Sequence, residues 1–215
     1  MSPSPQNERG AENGDKGAAL RSRLVGAAEQ LIQERPLVSI TARDIARAAD
    51  VSGGVLYNYF ASKNDLLAAA LARRHSLLAA RIDEILPPPG AATIEENLTA
   101  FCRGVLKMHR EMLPLATELH TDPDLFRKFI GAIHREPFGP RQVRRPIVSY
   151  LREEQQLGRI DPDADAGAVA TLLLGSTFML AMHSQMGAGK PGAGQSLPAI
   201  VRTLIRGLAP QTGQT

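Results

Sequence analysis

The side chains with recognition chemistry to offer are concentrated between Thr41 and Lys63. Thr41-Ala42-Arg43-Asp44 is a capping box: the threonine oxygen can accept from the amide three residues on, and the aspartate reaches back. It opens a short helix from Ala42 to about Ala49. Val51-Ser52-Gly53 makes a tight turn, and Ser52 can cap a second short helix over Gly53–Tyr59. Ile45, Ala46, Ala49, Val51, Leu56 and Phe60 can all point into one small core. Gly53, Val55, Tyr57, Asn58 and Tyr59 are then left on the outer face. Two short helices joined by a tight turn and preceded by a packing helix form a helix-turn-helix. A polar and aromatic outer face on so short a helix has to serve something outside the protein.

Bond-making chemistry has little to rest on. The chain has no G-x-S-x-G, no G-x-x-x-x-G-K-[ST], no H-E-x-x-H and no Rossmann fingerprint. Cys102 is a lone thiol among apolar neighbours, a setting for an inert buried side chain. His109, His120 and His134 lie 11 and 14 residues apart, and no pair has helix-face spacing. Glu118, His120, Asp122 and Asp124 cluster near one turn, which reads as solvated surface and not as three or four convergent ligands. No catalytic residue, metal site or cofactor is expected.

The elements that hold this segment read as helices throughout. Of 215 residues, 43% are hydrophobic and 22% charged, an ordinary globular balance. Aromatics are 4% and tryptophan is absent, so the core must come from Leu, Ala, Ile, Val and Met, which favours helix over strand. The net charge is +3. Residues 1–82 carry 11 Lys+Arg against 8 Asp+Glu, while the remainder carries 14 of each. The positive excess therefore sits with the helix-turn-helix, a weak pointer to a polyanion.

The first 17 residues have no apolar stretch of the secretory kind, and their Pro, Gly, Ser and charge content predicts a disordered tail. Leu20, Leu24, Ala27, Ala28, Leu31 and Ile32 mark one helical face, stopped by Pro36. Ser62-Lys63-Asn64-Asp65 is a second capping box, opening a long helix to about Leu86, and Pro87-Pro88-Pro89-Gly90 ends it. Thr93-Ile94-Glu95-Glu96 is a third. Further helices are expected at about 114–120, 123–135 and 141–157, from Asp161-Pro162 to about Gln185, and over 197–208, with a loop at 188–194. Ala166–Met182 is apolar but short of a membrane span and interrupted by Gly and Thr, so it reads as a buried helix, and no membrane association is expected. The default location is cytoplasmic.

The segment TARDIARAADVSGGVLYNYFASKNDLLAAAL resembles the DNA-binding signature of TetR-family transcriptional regulators. The resemblance rests on Thr41, Ile45, Ala46, Ala49, Val51, Ser52, Gly54, Leu56, Tyr57, Tyr59, Phe60, Ser62, Lys63 and Leu66. It covers about residues 40–70, and the preceding helix, the total length and the helix order also fit. Asp50 departs from it, since the family usually has glycine in the turn. Aspartate tolerates the left-handed backbone better than most residues.

Read on this face, Thr41 and Ser52 sit at helix N-termini, where free amides favour phosphate. Lys63 offers a point charge, Arg43 is a further phosphate candidate with Arg21, and Tyr57 and Tyr59 offer hydroxyls. These contacts position the protein and do not specify sequence. Val55 can pack on a thymine methyl, Asn58 can bond adenine in the major groove, and Gly53 lets the backbone approach. Cations are few here, so affinity should come from two copies on a palindromic double-stranded DNA operator.

The resemblance also implies the architecture: all-α, about nine or ten helices. An N-terminal three-helix helix-turn-helix DNA-binding domain would cover 18–66. A C-terminal helical ligand-binding and dimerisation domain would cover 67–209, with a tail at 210–215. The dimer's helix bundle would use Arg141–Gln156 and Ala164–Gln185. In the second of these, Gly167, Ala168, Thr171, Gly175 and Ala181 permit close approach, and Leu172, Leu173, Phe178 and Met179 supply bulk. A small-molecule effector, mostly apolar, would meet Phe101, Val105, Met108, Phe126, Phe129, Met179 and Met182. His109, Glu118, His120 and His183 are the polar candidates. The expected activity is that of a homodimeric regulator, usually a repressor, released from its operator by the effector. The alternative is a helical ligand-binding or adaptor protein whose helix-turn-helix no longer reads DNA.

Overall fold

Three capping sequences set where helices begin, two of them forming the full reciprocal box and Ser62–Asp65 its side-chain-accepting arm, in the computed structural model, which describes residues 5–135, 141–187 and 196–207. The Asp44 amide donates to Thr41 Oγ1 at 3.2 Å, and the Thr41 amide to Asp44 Oδ2 at 3.0 Å. The Asp65 amide donates to Ser62 Oγ at 3.2 Å. Thr93 and Glu96 repeat the reciprocal pair at 3.1 and 3.2 Å. Each box satisfies amides that a helix start otherwise leaves open.

The described residues form eight α-helices: α1 (Pro5–Glu34), α2 (Ala42–Ala48), α3 (Lys63–Asp83), α4 (Ile94–Leu119), α5 (Pro123–Arg135), α6 (Arg141–Gln156), α7 (Ala166–Gln185) and α8 (Leu197–Arg206). Two 3-10 helices, Leu37–Ser39 and Val55–Asn58, flank α2. No strand occurs among the described residues. The fold is all-α.

Four expectations need correction. The backbone of 5–17 belongs to α1 and is not a tail, because lengthening an existing helix requires no new nucleus. The second short helix is a four-residue 3-10 turn over Val55–Asn58, since Gly53 and Gly54 ahead of it are poor helix formers. Pro114 does not divide α4: it is exposed, and Leu113 and Leu115 beside it are buried, which outweighs the lost hydrogen bond. α7 starts at Ala166, where the Asp165 carboxylate accepts from Gly167 N and Ala168 N at 2.7 and 3.1 Å. Asp161 instead turns back on the Asp163 amide. The expected loop at 188–194 and the tail at 210–215 lie outside the described residues.

The chain divides into two compact units. One takes residues 1–74 and 118–132, the other 75–117 and 133–215. The first therefore extends beyond the expected boundary at 66 and includes the segment after Thr117. Its interior holds Leu24, Ile40, Ile45, Leu56, Leu66, Leu67 and Leu71, all essentially without solvent contact. Side-chain polar groups fasten 118–132 within this unit. Lys128 Nζ lies 2.8 Å from Asp65 Oδ2 and 3.5 Å from Asp124 Oδ2. Asn64 Nδ2 donates to Asp124 at 3.0 Å, and Glu118 Oε2 accepts from the Leu37 amide at 2.6 Å.

The second unit is built on Phe101, Leu98, Val105, Ile147, Ala170, Leu173 and Val201. Glu154 is fully buried on the α6 face that carries Ile147, Tyr150 and Leu151. Its carboxylate accepts from the Gly90 amide at 3.1 Å and meets Arg159 Nη1 at 3.2 Å. Arg159 also donates to the Ala92 carbonyl, and Asn97 donates to Tyr150 Oη and to the Ala91 carbonyl. Burial pushes the Tyr150 phenol up to about 12. This network pins the Pro-rich connection between α3 and α4.

Candidate nucleic-acid interface

The helix-turn-helix is framed by α1, α2 and the 3-10 turn. Ile45 and Ala46 turn inward from α2, Leu56 from the 3-10 turn and Phe60 just after it. The opposite surface stays open. Arg43, Arg47, Ser52, Gly53, Tyr57 and Asn58 are exposed, Tyr57 by 57%, and Val55 and Tyr59 are half-buried. Arg43, Ala46, Arg47, Asp50, Val51, Ser52 and Gly53 line one notch of about 470 Å³ beside the turn. Arg43, Ser52 and Gly53 are thus brought together, with Arg47 added.

The electrostatic detail differs from the expectation in four places. The Thr41 hydroxyl donates to Asp44 Oδ2 at 2.6 Å, and Arg35 pairs with the same carboxylate at 3.3 Å. The Thr41 bonds hold the Asp44 carboxyl below the usual carboxylate range, with Arg35 adding to the effect. The α2 N-terminus therefore already carries its own anion, so phosphate attraction by free amides does not apply to Thr41. Ser52 caps no α-helix; its carbonyl accepts from the Val55 amide at 3.0 Å. Lys63 is half-buried, and its ammonium donates to the Ile40 carbonyl at 3.0 Å. Arg21 stacks over the Phe60 ring at 4.9 Å from its centroid.

The turn itself shows how Asp50 replaces glycine. Asp50 has φ 52°, a left-handed backbone. The Val51 amide bonds the Ala46 carbonyl at 2.9 Å and the Asp50 amide the Arg47 carbonyl at 3.1 Å. These two bonds are the Schellman pattern, with Asp50 at the position glycine normally takes. Arg23 of α1 then donates to the Ala49 carbonyl at 2.6 Å and lies 3.5 Å from that of Asp50. Sequence reasoning missed Arg23, which stands between Leu20 and Leu24 of the apolar stripe of α1 and carried no local signal.

The expected effector residues separate between the units. Phe101, Val105, Met108, His109, Met179, Met182 and His183 belong to the second unit. Glu118, His120, Phe126 and Phe129 belong to the first. Phe101, Val105 and Met108 are buried in the second core, and Met182 packs against it. His109 is half-buried, 3.4 Å from Thr177 Oγ1 and edge-on to Phe178. Burial lowers its pKa. In the first unit, Glu118 is occupied by the Leu37 amide, and His120 rests against Phe126. Cys102 is buried, which pushes its thiol up to about 12. Among the described residues no three His, Cys, Asp or Glu side chains gather to hold a metal ion.

α7 carries two faces. Val169, Ala170, Leu173, Thr177, Leu180 and Ala181 are buried in the second unit. Thr171, Leu172, Gly175, Phe178 and Met179 are exposed, Leu172 by 57% and Met179 by 47%. A Cβ built on Gly175 meets nothing within 4 Å. By length and composition α7 could cross a membrane, but its buried face packs as a core helix does.

Comparison with known proteins agrees with this geometry. Residues 24–70 match the amino-terminal domain described as "Bacterial regulatory proteins, tetR family". The HTH-type transcriptional repressor KstR of Rhodococcus jostii (strain RHA1) is 33% identical over 140 residues, covering 64% of this chain and 64% of that protein. The match thus spans just under two thirds of the repressor. The solved "Flavonoid-responsive Regulator FrrA" superposes with TM-score 0.63 at 23% identity, over 91% of this chain and all of that one. The transcriptional regulator FadR from Bacillus subtilis, solved in complex with stearoyl-CoA, gives TM-score 0.53 at 20% identity, over 86% and 95%. These solved structures share the fold. Signature and relatives together make residues 24–70 similar to the DNA-binding domain of TetR-family transcriptional regulators, on an all-helical fold that the solved structures share.

Proposed function

We propose that the protein is a cytoplasmic homodimeric repressor that binds a palindromic DNA operator and leaves it when a small, mostly apolar effector binds. The observation that carries the DNA reading is the open face of the helix-turn-helix. Tyr57 and Asn58 stand in solvent over a core closed by Leu56 and Phe60. Tyr57, Tyr59 and Lys63 would position the phosphates, while Val55, Asn58 and Gly53 would meet base edges. The exposed Leu172, Gly175 and Met179 of α7 support a second copy as partner, because large apolar groups at helical spacing around a glycine suit a close helix contact. The name of the Rhodococcus jostii relative supports repression over activation.

The effector would sit in the second unit, near Phe101, Val105, Met108, His109, Met182 and His183, where the half-buried His109 beside Thr177 and Phe178 is a polar candidate. Its action is a population shift: it favours a state whose two recognition segments are spaced wrongly for the operator. The chain passes from the first unit into the second inside α3, so α3 would carry the change.

The test is selection of duplexes from a random pool by the pure protein near physiological salt, where non-specific phosphate binding is suppressed. A palindromic consensus is the expected result. Absence of any consensus, from protein that is folded and dimeric, would favour the adaptor reading.

A further inference from the structure

We propose that Arg23 is a positioning residue for DNA reading: its guanidinium caps the C-terminal end of α2 from α1 and so holds the turn that presents Ser52–Tyr59. This rests on the DNA-reading assignment above. Three observations carry it. α2 is seven residues long, so it has little of its own to fix where its last turn points. The turn passes through Asp50 at φ 52°, a conformation in which a non-glycine residue is held only by its surroundings. The Schellman bonds use the Ala46 and Arg47 carbonyls and do not engage those of Ala49 and Asp50. Arg23 takes Ala49 at 2.6 Å and reaches Asp50 at 3.5 Å. A fixed cation at a helix C-terminus also complements the helix dipole.

The charge of Arg23 is thereby aimed at protein carbonyls. It belongs to the scaffold of the reading face and not to its phosphate contacts. Neighbouring Arg21 is likewise engaged, over the Phe60 ring. Two arginines of α1 thus engage the motif, one at the turn and one at Phe60.

The experiment is a cycle of Arg23→Ala, Arg23→Lys, Asp50→Gly and the double variant Arg23→Ala/Asp50→Gly in the full chain. Hydrogen exchange is read first, without DNA. Arg23→Ala should speed exchange of the Asp50 and Val51 amides roughly tenfold, leaving the α3 amides unchanged. Arg23→Lys should recover part of the protection, and Asp50→Gly most of it, because glycine holds a positive φ without help. On DNA, the probes are a duplex selected by the wild-type protein and a scrambled duplex of equal length. Arg23→Ala should weaken the first roughly tenfold and leave the second, and the salt dependence of both, unchanged.

Unchanged exchange in Arg23→Ala overturns the proposal. So does a salt slope reduced by about one, which would make Arg23 a phosphate ligand. Failure of Asp50→Gly to restore protection also overturns it. If the wild-type protein prefers no duplex, the DNA reading fails separately, and the exchange cycle still decides the capping.

Discussion

The Lys63 ammonium donates to the Ile40 carbonyl at 3.0 Å, so the first residue of α3 ties down the chain one position ahead of the α2 N-cap. A cation expected to meet phosphate alone therefore has two tasks, and one substitution tests both. An ammonium has three hydrogens, and this bond uses one of them. Lys63→Met should lower stability by about 1 kcal/mol, the scale of one partly exposed charge-assisted bond. It should also reduce the salt slope of operator binding by about one, as loss of a phosphate contact requires. Thermal melts and titrations at several salt concentrations check the two effects. An unchanged slope would leave Lys63 a structural residue.

Tyr57 is the opposite case. Its ring is 57% exposed, so the fold draws little from it. Tyr57→Phe should leave the melting temperature unchanged and weaken operator binding roughly tenfold, the worth of one hydroxyl bond to a charged group. Calorimetry beside a binding titration separates this from a packing role, in which the melting temperature would fall instead.

Acid should loosen the first unit through Asp65. The Lys128 ammonium and the Ser62 hydroxyl bond its carboxylate, and Lys128 first among them holds its pKa below the ordinary value. A carboxyl depressed on folding contributes stability that is present above its unfolded pKa of about 3.9 and is lost as pH falls through the folded value. Stability should therefore drop as pH is lowered past about 4. In Lys128→Met that acid-dependent part should shrink. Denaturant melts between neutral pH and pH 3 measure it, and identical pH profiles for the two proteins would remove Lys128 from the account.

The second unit contains a stricter ion pair. Glu154 is fully buried and faces Arg159 at 3.2 Å. Arg159→Met would leave an uncompensated carboxylate inside and should cost about 3 kcal/mol, at the low end for a broken buried pair because Arg159 is partly exposed. Replacing both, Glu154→Met with Arg159→Met, should cost less than the single change. Equal losses would show that the pair is not coupled.

The dimer proposal is tested on α7. Met179→Glu places a charge on the exposed apolar face without entering the core. Sedimentation should show folded monomers where the wild type gives dimers, with operator affinity falling in parallel. A dimer that survives the change would move the interface elsewhere.

The signature helix and its caps were legible because their rules are local. Thr41, Ser62 and Thr93 each stand three residues before their acidic partner, and the bonds form as that spacing demands. The small core of Ile45, Ala46, Leu56 and Phe60 follows from spacing in the same way. What stayed hidden depends on partners far apart in the chain. Arg23 meets Ala49 across 26 residues, Glu118 meets Leu37 across 81, and Gly90 meets Glu154 across 64. Residue type gives no notice of such pairings. One signal was present but unread: Glu154 shares a helix face with Ile147, Tyr150 and Leu151, an inward place for a carboxylate. The effector residues divide between two units for the same reason, since apolar residues at helical spacing do not state which core they join.

Sequence-specific reading by two copies is what the proposed function requires of the protein. Its most direct test compares three duplexes with the full chain near physiological salt: the selected palindrome, the same duplex with one half-site scrambled, and a fully scrambled one. Binding to the palindrome should be at least about a thousandfold tighter than to the scrambled duplex, with most of that margin gone when one half-site is lost. Equal affinity for all three would contradict it.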